Sequence, residues 1–296
     1  MTDLPTSVRL ETGEGGLPVL RVAGPEATAE IYLHGAHVTA WAPRGAQPVL
    51  WTSPRSRYTA DAAIRGGVPI CFPWFGAHPA DPAAPSHGFA RLLDWELADA
   101  AEEGDDVVVT LRLRDSATTR SSPWPHAFTA RYTVRVGRRL TLGLTVVNEG
   151  EAGTDPFTFE AALHTYLAVG DVRQCSVPGL EEVPFLDRNG GPEPQPGQQE
   201  AVTFPGEVDR VYLRTPATTS VHEPADGRRV EVTAEGSDAT VVWSPGAEKA
   251  AALVDVGADA WTGFVCVETC NVRASAVRLG PGERHTMTAT YAVHAP

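Results

Sequence analysis

Short apolar or alternating segments recur along the whole chain, each closed by Gly, Pro, Asn or Asp. An amphipathic helix needs about ten or more residues with a 3.6-residue period, whereas a strand needs about four to eight with a period of two, so this punctuation selects strands. Segments 18–23, 29–33, 68–72, 95–98, 107–113, 129–136, 140–147, 157–167, 211–213, 230–233, 240–243, 263–270 and 286–293 fit the strand pattern. Several alternate strictly, as in Thr129-Ala130-Arg131-Tyr132-Thr133-Val134-Arg135-Val136, the pattern of a sheet with one face buried and the other wet. The expectation is an all-β, antiparallel architecture with few helices. Gly137-Arg138-Arg139 predicts a hairpin connection. Residues 76–86 and 189–199 read as loops rather than linkers, because strand patterning resumes directly after each. With 296 residues, one large β core is feasible as a single domain over 1–296.

Charge narrows the partners. With 37 acidic against 24 basic residues and a net charge of −13, the overall field repels polyphosphates and anionic lipid surfaces, so neither nucleic acid nor membrane is expected. Lys249 is the only lysine, which leaves cationic contacts to arginine, whose planar fork matches carboxylate and phosphate geometry. Met1-Thr2-Asp3-Leu4-Pro5 lacks the basic residues and apolar run of a signal peptide, and no apolar run approaches the roughly 18 residues of a membrane span. The expected compartment is the cytoplasm. Cys71, Cys175, Cys266 and Cys270 sit in hydrophobic runs, which suits reduced, buried thiols. Cys266 and Cys270 lack the second pair of a zinc site, and no metal is expected.

Three stretches are unusual for a plain β core. In Ile64-Arg65-Gly66-Gly67-Val68-Pro69-Ile70-Cys71-Phe72-Pro73-Trp74-Phe75-Gly76, two glycines follow an arginine. Either they let another group approach the backbone, or they form a tight turn beside a surface charge. Ser86-His87-Gly88-Phe89-Ala90-Arg91 places a His and an Arg four residues apart, on one face if the segment is extended. They would serve an anion site or simply hold the loop. The third feature is a pair of remote strands carrying His164 and Glu268, each a titratable group on an otherwise apolar strand. Period two places Glu160, Ala162, His164 and Tyr166 on one face and sets Glu268 between Cys266 and Cys270. A carboxylate there is partly desolvated, a costly position without a partner. A buried structural hydrogen bond is the plain alternative for either residue.

Together these stretches resemble the aldose 1-epimerase superfamily, specifically its hexose-6-phosphate mutarotase branch. The resemblance also rests on Leu33-His34-Gly35-Ala36-His37-Val38-Thr39, Ser53-Pro54, Trp95-Glu96, Leu163-His164-Thr165-Tyr166, Val177-Pro178-Gly179-Leu180, Asp209-Arg210-Val211-Tyr212 and Cys266-Val267-Glu268, in order from about residue 30 onward. It implies a galactose-mutarotase-like β-supersandwich with the site on the concave face of a large sheet. It further implies His164 as general acid, Glu268 as general base, Asp209 on sugar hydroxyls, His87 as an orienting residue, and Arg65 and Arg91 as phosphate ligands. Ser86, where several relatives carry an amide, departs from the pattern.

Interconverting the anomers of an aldohexose through its open chain needs one base for the C1 hydroxyl and one acid for the ring oxygen, with no cofactor. The resemblance therefore implies an epimerase acting on a hexose 6-phosphate, most directly glucose 6-phosphate, with a small sugar phosphate as its partner and a monomeric state. An epimerase of free sugars and a non-catalytic sugar-binding protein are the alternatives. A cupin-type metal site is set aside, because His34 and His37 fall on opposite faces if that segment is a strand. Arg55 and Arg57 are weaker phosphate candidates, open to a purely solvated reading.

Overall fold

The computed structural model describes residues 4–191, 193–225 and 227–294. Met1-Thr2-Asp3 of the signal-peptide reading and Pro192 of the second loop lie outside them. The described chain is built of antiparallel strands, with two α-helices of four and seven residues at Ala117–Arg120 and Gly246–Ala252. The all-β expectation is met.

Two large sheets carry the molecule. The nine-stranded sheet runs in the order Val202–Thr203, Ser176–Val177, Thr218–Glu223, Arg228–Glu235, Arg284–His294, Arg139–Asn148, Phe128–Val136, Asp106–Arg114 and Glu96–Glu103. Its long strands alternate buried and partly exposed residues along their length, so one face meets the core and the other solvent. The expected hairpin joins Phe128–Val136 to Arg139–Asn148. The seven-stranded sheet runs Phe185–Asp187, Val208–Leu213, Ala239–Ser244, Phe264–Asn271, Ala161–Leu163 and Ile70–Cys71, with Tyr166–Ala168 also paired to Phe264–Asn271. Its central strands Ala239–Ser244 and Phe264–Asn271 are buried at every position. Here both faces are covered. A four-stranded meander from Val8–Thr12 to His37–Pro43 and the pair Phe157–Phe159 with Val277–Leu279 complete the sheets.

Phe72 fixes the arginine-bearing stretches to the core. Its ring meets Phe89, Trp124, Phe128 and Phe159 edge-on at centroid distances of 5.3–6.1 Å. Such pairs add about 0.5–1.5 kcal/mol each beyond the area they bury. All four cysteines are free and buried.

Three local expectations are corrected. Segment 68–72 forms strand only at Ile70–Cys71, since Pro69 and Pro73 have no N–H to give a ladder. Segment 157–167 is not one strand but three short pieces, Phe157–Phe159, Ala161–Leu163 and Tyr166–Ala168. The second break is a tight turn in which the Thr165 N–H donates to the Leu163 carbonyl at 2.8 Å, with His164 at its apex. Residues 87–91 are not extended: His87 has φ of 64° and Ala90–Leu92 is a 3-10 turn.

Candidate active site

Register places the chemistry. Across the seven-stranded sheet, Asp209 pairs with Trp243, Trp243 with Cys266, and Cys266 with Tyr166, forming one lateral row. Two residues along each strand, on the same face, Val211 pairs with Val241 and Val241 with Glu268. His164 stands two residues before Tyr166 and so enters at the end of this second row, beside Glu268. The turn at Leu163–Thr165 takes it out of the ladder but not off the face: its ring stacks on Tyr166, 5.0 Å between centroids and 11° from parallel. Its main-chain N–H donates to the Pro69 carbonyl, and the Thr165 hydroxyl meets Tyr291 of the opposite sheet at 2.6 Å.

The arginines arrive on loops laced to the same place. Gly66 and Gly67, with φ of 102° and 58°, let the chain after Arg65 pass close against the Trp51 and Val38 carbonyls; a Cβ at either glycine would lie 2.4 and 2.3 Å from them. The Gly67 carbonyl then accepts the Tyr166 N–H at 2.9 Å, tying the Arg65 stretch to the His164 stretch. Arg65 donates through Nε to Asp255 and through Nη1 to the Tyr166 hydroxyl, both at 2.9 Å. These neighbours, Tyr166 foremost and Asp255 with it, hold it firmly protonated. His37 supports the bend from behind, its Nε2 2.7 Å from the Gly66 carbonyl. The His87 loop docks on residues 72–76 through its main chain. Arg91 donates through Nη2 to the Ser86 carbonyl at 2.8 Å, while its buried Nε has no partner.

All six site residues expected from the sequence, Arg65, His87, Arg91, His164, Asp209 and Glu268, line one cleft of about 300 Å³. His164 Nδ1 and Glu268 Oε1 are 3.4 Å apart, but no hydrogen bond forms between them. Nδ1 and both Glu268 oxygens are therefore buried without partners. Buried polar atoms are almost always satisfied, so three orphans on two facing side chains mark a site built for a ligand's polar atoms. Burial pushes the Glu268 carboxyl well above its usual range, and the charge of Asp209 pushes it further while Arg188 opposes. Burial pulls His164 well below the usual imidazole range, with His87, Arg65 and Arg91 pulling the same way. His87 is lowered to about 3 by burial and the surrounding arginines. Its Nδ1 accepts the Gly76 N–H at 3.3 Å, so this neutral ring carries its proton on Nε2 and offers a donor to the cleft.

The sequence did not reveal Arg188, Lys249 or Trp243, which also line the cleft. Arg188 Nε and Lys249 Nζ bracket Asp209 at 3.7 and 3.8 Å. They oppose the effect of burial, which raises the Asp209 carboxyl. Arg188 also lies over the Phe75 ring at 5.5 Å. The one signal available was Lys249's being the sole lysine. Of the weaker candidates, Arg57 lines a second cleft of about 210 Å³ that shares Arg65 and Arg91, whereas Arg55 packs on Gly257. His34 is a structural residue: it precedes the strand His37–Pro43 and contacts the Ala62 carbonyl at 2.9 Å and Asp94 at 3.2 Å.

Known proteins resemble this chain in sequence and in fold. A relative from Escherichia coli strain K12 named "Putative glucose-6-phosphate 1-epimerase" is 37% identical over 253 residues, covering 86% of this chain and 83% of its own. One of the same name from Salmonella typhimurium is 36% identical over the same coverage. A crystal structure described as a "putative mutarotase" from Salmonella typhimurium superposes with a TM-score of 0.91 at 31% identity, covering 100% of this chain and 96% of that one. The family model for aldose 1-epimerase matches residues 18–292. With a family match over nearly its whole length and an antiparallel mutarotase fold, this chain belongs to the aldose 1-epimerase family.

Proposed function

We propose that the chain interconverts the α and β anomers of a hexose 6-phosphate, with glucose 6-phosphate the first candidate. The observation that carries this reading is the convergence, in one cleft, of an unsatisfied imidazole–carboxylate pair with two arginines. The names of the curated relatives point the same way.

Glu268 and His164 are the catalytic pair. Ring opening moves the C1 hydroxyl proton to the Glu268 carboxylate while His164 gives its proton to O5 as the C1–O5 bond breaks. Rotation about C1–C2 turns the other aldehyde face to the pair, and the two transfers run backward to close the ring. Protons balance over the cycle. Burial favours the neutral form of the pair, with the proton on Glu268, and the ionised form has the same proton count. Both forms hold one proton, and the ionised form, with the proton on His164 and Glu268 a carboxylate, is the one that reacts. Asp209, held between Arg188 and Lys249, accepts sugar hydroxyls, and the Nε2–H of His87 donates to one. Arg65 and Arg91 take the 6-phosphate, filling the unmet donor at Arg91 Nε.

Proton transfer between these groups and the sugar needs no metal or cofactor. A single catalytic domain, a monomeric state and a cytoplasmic compartment belong to the same proposal. Among the described residues no helix is long and apolar enough to cross a membrane. Polarimetry on freshly dissolved α-glucose 6-phosphate tests the reading. Catalytic amounts of protein should speed the approach to anomeric equilibrium, before and after exhaustive chelation. Acceleration of free aldoses without acceleration of the phosphate ester would refute the assignment.

A further inference from the structure

We infer that an oxyanion bound between Arg65 and Arg91 switches on the acid His164, so that the phosphate of the substrate is an activator as well as a handle. The inference rests on the reading of the cleft as a sugar-phosphate site and adds a coupling between its two ends. Arg65 Nη1 donates to the Tyr166 hydroxyl at 2.9 Å, and the Tyr166 ring lies stacked on the His164 ring. The guanidinium that takes the phosphate and the imidazole that gives the proton thus share one aromatic neighbour.

The charges around His164 are few. It faces Glu268 Oε1 at 3.4 Å, the neutral His87 ring at 5.7 Å, the Tyr166 face and the edge of Trp243 at 5.8 Å. Behind it the Pro69 carbonyl accepts its N–H. Besides burial and the His87 ring, Arg65 and Arg91 disfavour the imidazolium, while the cleft's other cations, Arg188 and Lys249, are turned to Asp209. Arg65 is already paired with Asp255, but Arg91 has carbonyl contact at one nitrogen and none at Nε. A dianion there cancels the repulsion in a cleft where charges are poorly screened, and His164 then holds its proton. A sugar without phosphate meets the same pair with the acid largely unprotonated. Selectivity for the phosphorylated sugar would therefore show in kcat and not only in KM.

The test uses the intact enzyme with glucose as substrate and inorganic phosphate as the separate anion, at constant ionic strength. Sulfate serves as a second, weakly basic dianion, and the anion-catalysed rate without enzyme is subtracted. Glucose turnover should rise saturably, by about tenfold, which corresponds to about one pKa unit at His164. In wild-type protein the His164 titration followed by ¹⁵N NMR should move upward by a similar amount on adding either anion. Arg91→Gln should raise anion-free glucose turnover a few-fold and lose most of the activation. If phosphate competes with glucose 6-phosphate yet moves neither glucose turnover nor the His164 titration, the inference is overturned while the sugar-phosphate reading stands. If phosphate does not compete and glucose 6-phosphate is turned over no faster than glucose, both fall.

Discussion

At the residue scale, the site depends on two side chains whose polar atoms the fold leaves unmet. His164→Ala and Glu268→Gln should each lower anomer exchange by about 10²- to 10⁴-fold, measured by NMR magnetisation transfer. The double variant should lose little more than the worse single one, because residues acting as a unit are not additive. Near-normal turnover in either single variant would remove it from the mechanism. In the proposed mechanism Glu268 must be ionised to act as base, and burial, with the charge of Asp209 beside it, holds its carboxyl up. The acidic limb of kcat/KM should therefore lie above the ordinary carboxylate range near pH 4.3, and Asp209→Asn should move it to lower pH. A limb that moves up or stays fixed would separate Asp209 from Glu268. His164, Glu268 and both arginines stood out as residues in unusual apolar or glycine-rich surroundings, but only the family resemblance pointed to their roles. Arg188 did not stand out, because it reaches the cleft through pairing: its N–H donates to the Asp209 carbonyl at 2.9 Å, across a strand register that spacing alone does not give.

At the scale of elements, long alternating strands were readable from sequence while the short ones at the site were not. Asp106–Arg114, Phe128–Val136 and Arg139–Asn148 alternate because one face is wet, and the sequence shows that period directly. Segment 157–167 carries the same apolar content but breaks where side chains take over from the ladder. Glu160 accepts the Phe75 N–H at 2.9 Å and the Arg273 N–H at 2.6 Å. Thr165 turns toward Tyr291, 126 residues away in sequence. Such long-range bonds leave no local signature. The Arg65 bend is the element most exposed to a single change. At Gly66 an alanine would combine a left-handed φ with a Cβ 2.4 Å from the Trp51 carbonyl oxygen, and Thr52 and Ser53 backbone atoms stand close behind. Gly66→Ala should cost more than about 1 kcal/mol in thermal unfolding and reduce turnover of the phosphorylated sugar beyond what lost folded protein explains. Unchanged stability and activity would show that the backbone there has room to relax.

At the scale of the whole molecule, function works against stability and against the overall charge. Glu268 is raised in the folded protein relative to the unfolded chain. Its burial is therefore least costly below its unfolded pKa, near 4.3, and the cost grows as pH rises through the folded value. His164 is lowered, so its own cost appears as pH falls below about 6.5. Glu268→Gln should accordingly raise the unfolding temperature by a few degrees at pH 8 and by less at pH 5. An equal shift at both values would mean that the carboxyl is not held out of its normal range. The net charge of −13 repels a sugar phosphate at long range, so the local arginines must reverse the field at the mouth of the cleft. The most direct test of that claim compares kcat/KM for glucose 6-phosphate and for glucose, side by side, in the wild type and in Arg65→Ala. A charge-assisted contact is worth about 1.5–3 kcal/mol, or one to two powers of ten. The phosphorylated sugar should lead by at least about a hundredfold, and the lead should shrink at least tenfold without Arg65. Equal efficiencies in the wild type, or equal losses for both sugars in the variant, would contradict the account and return the cleft to a free-sugar epimerase.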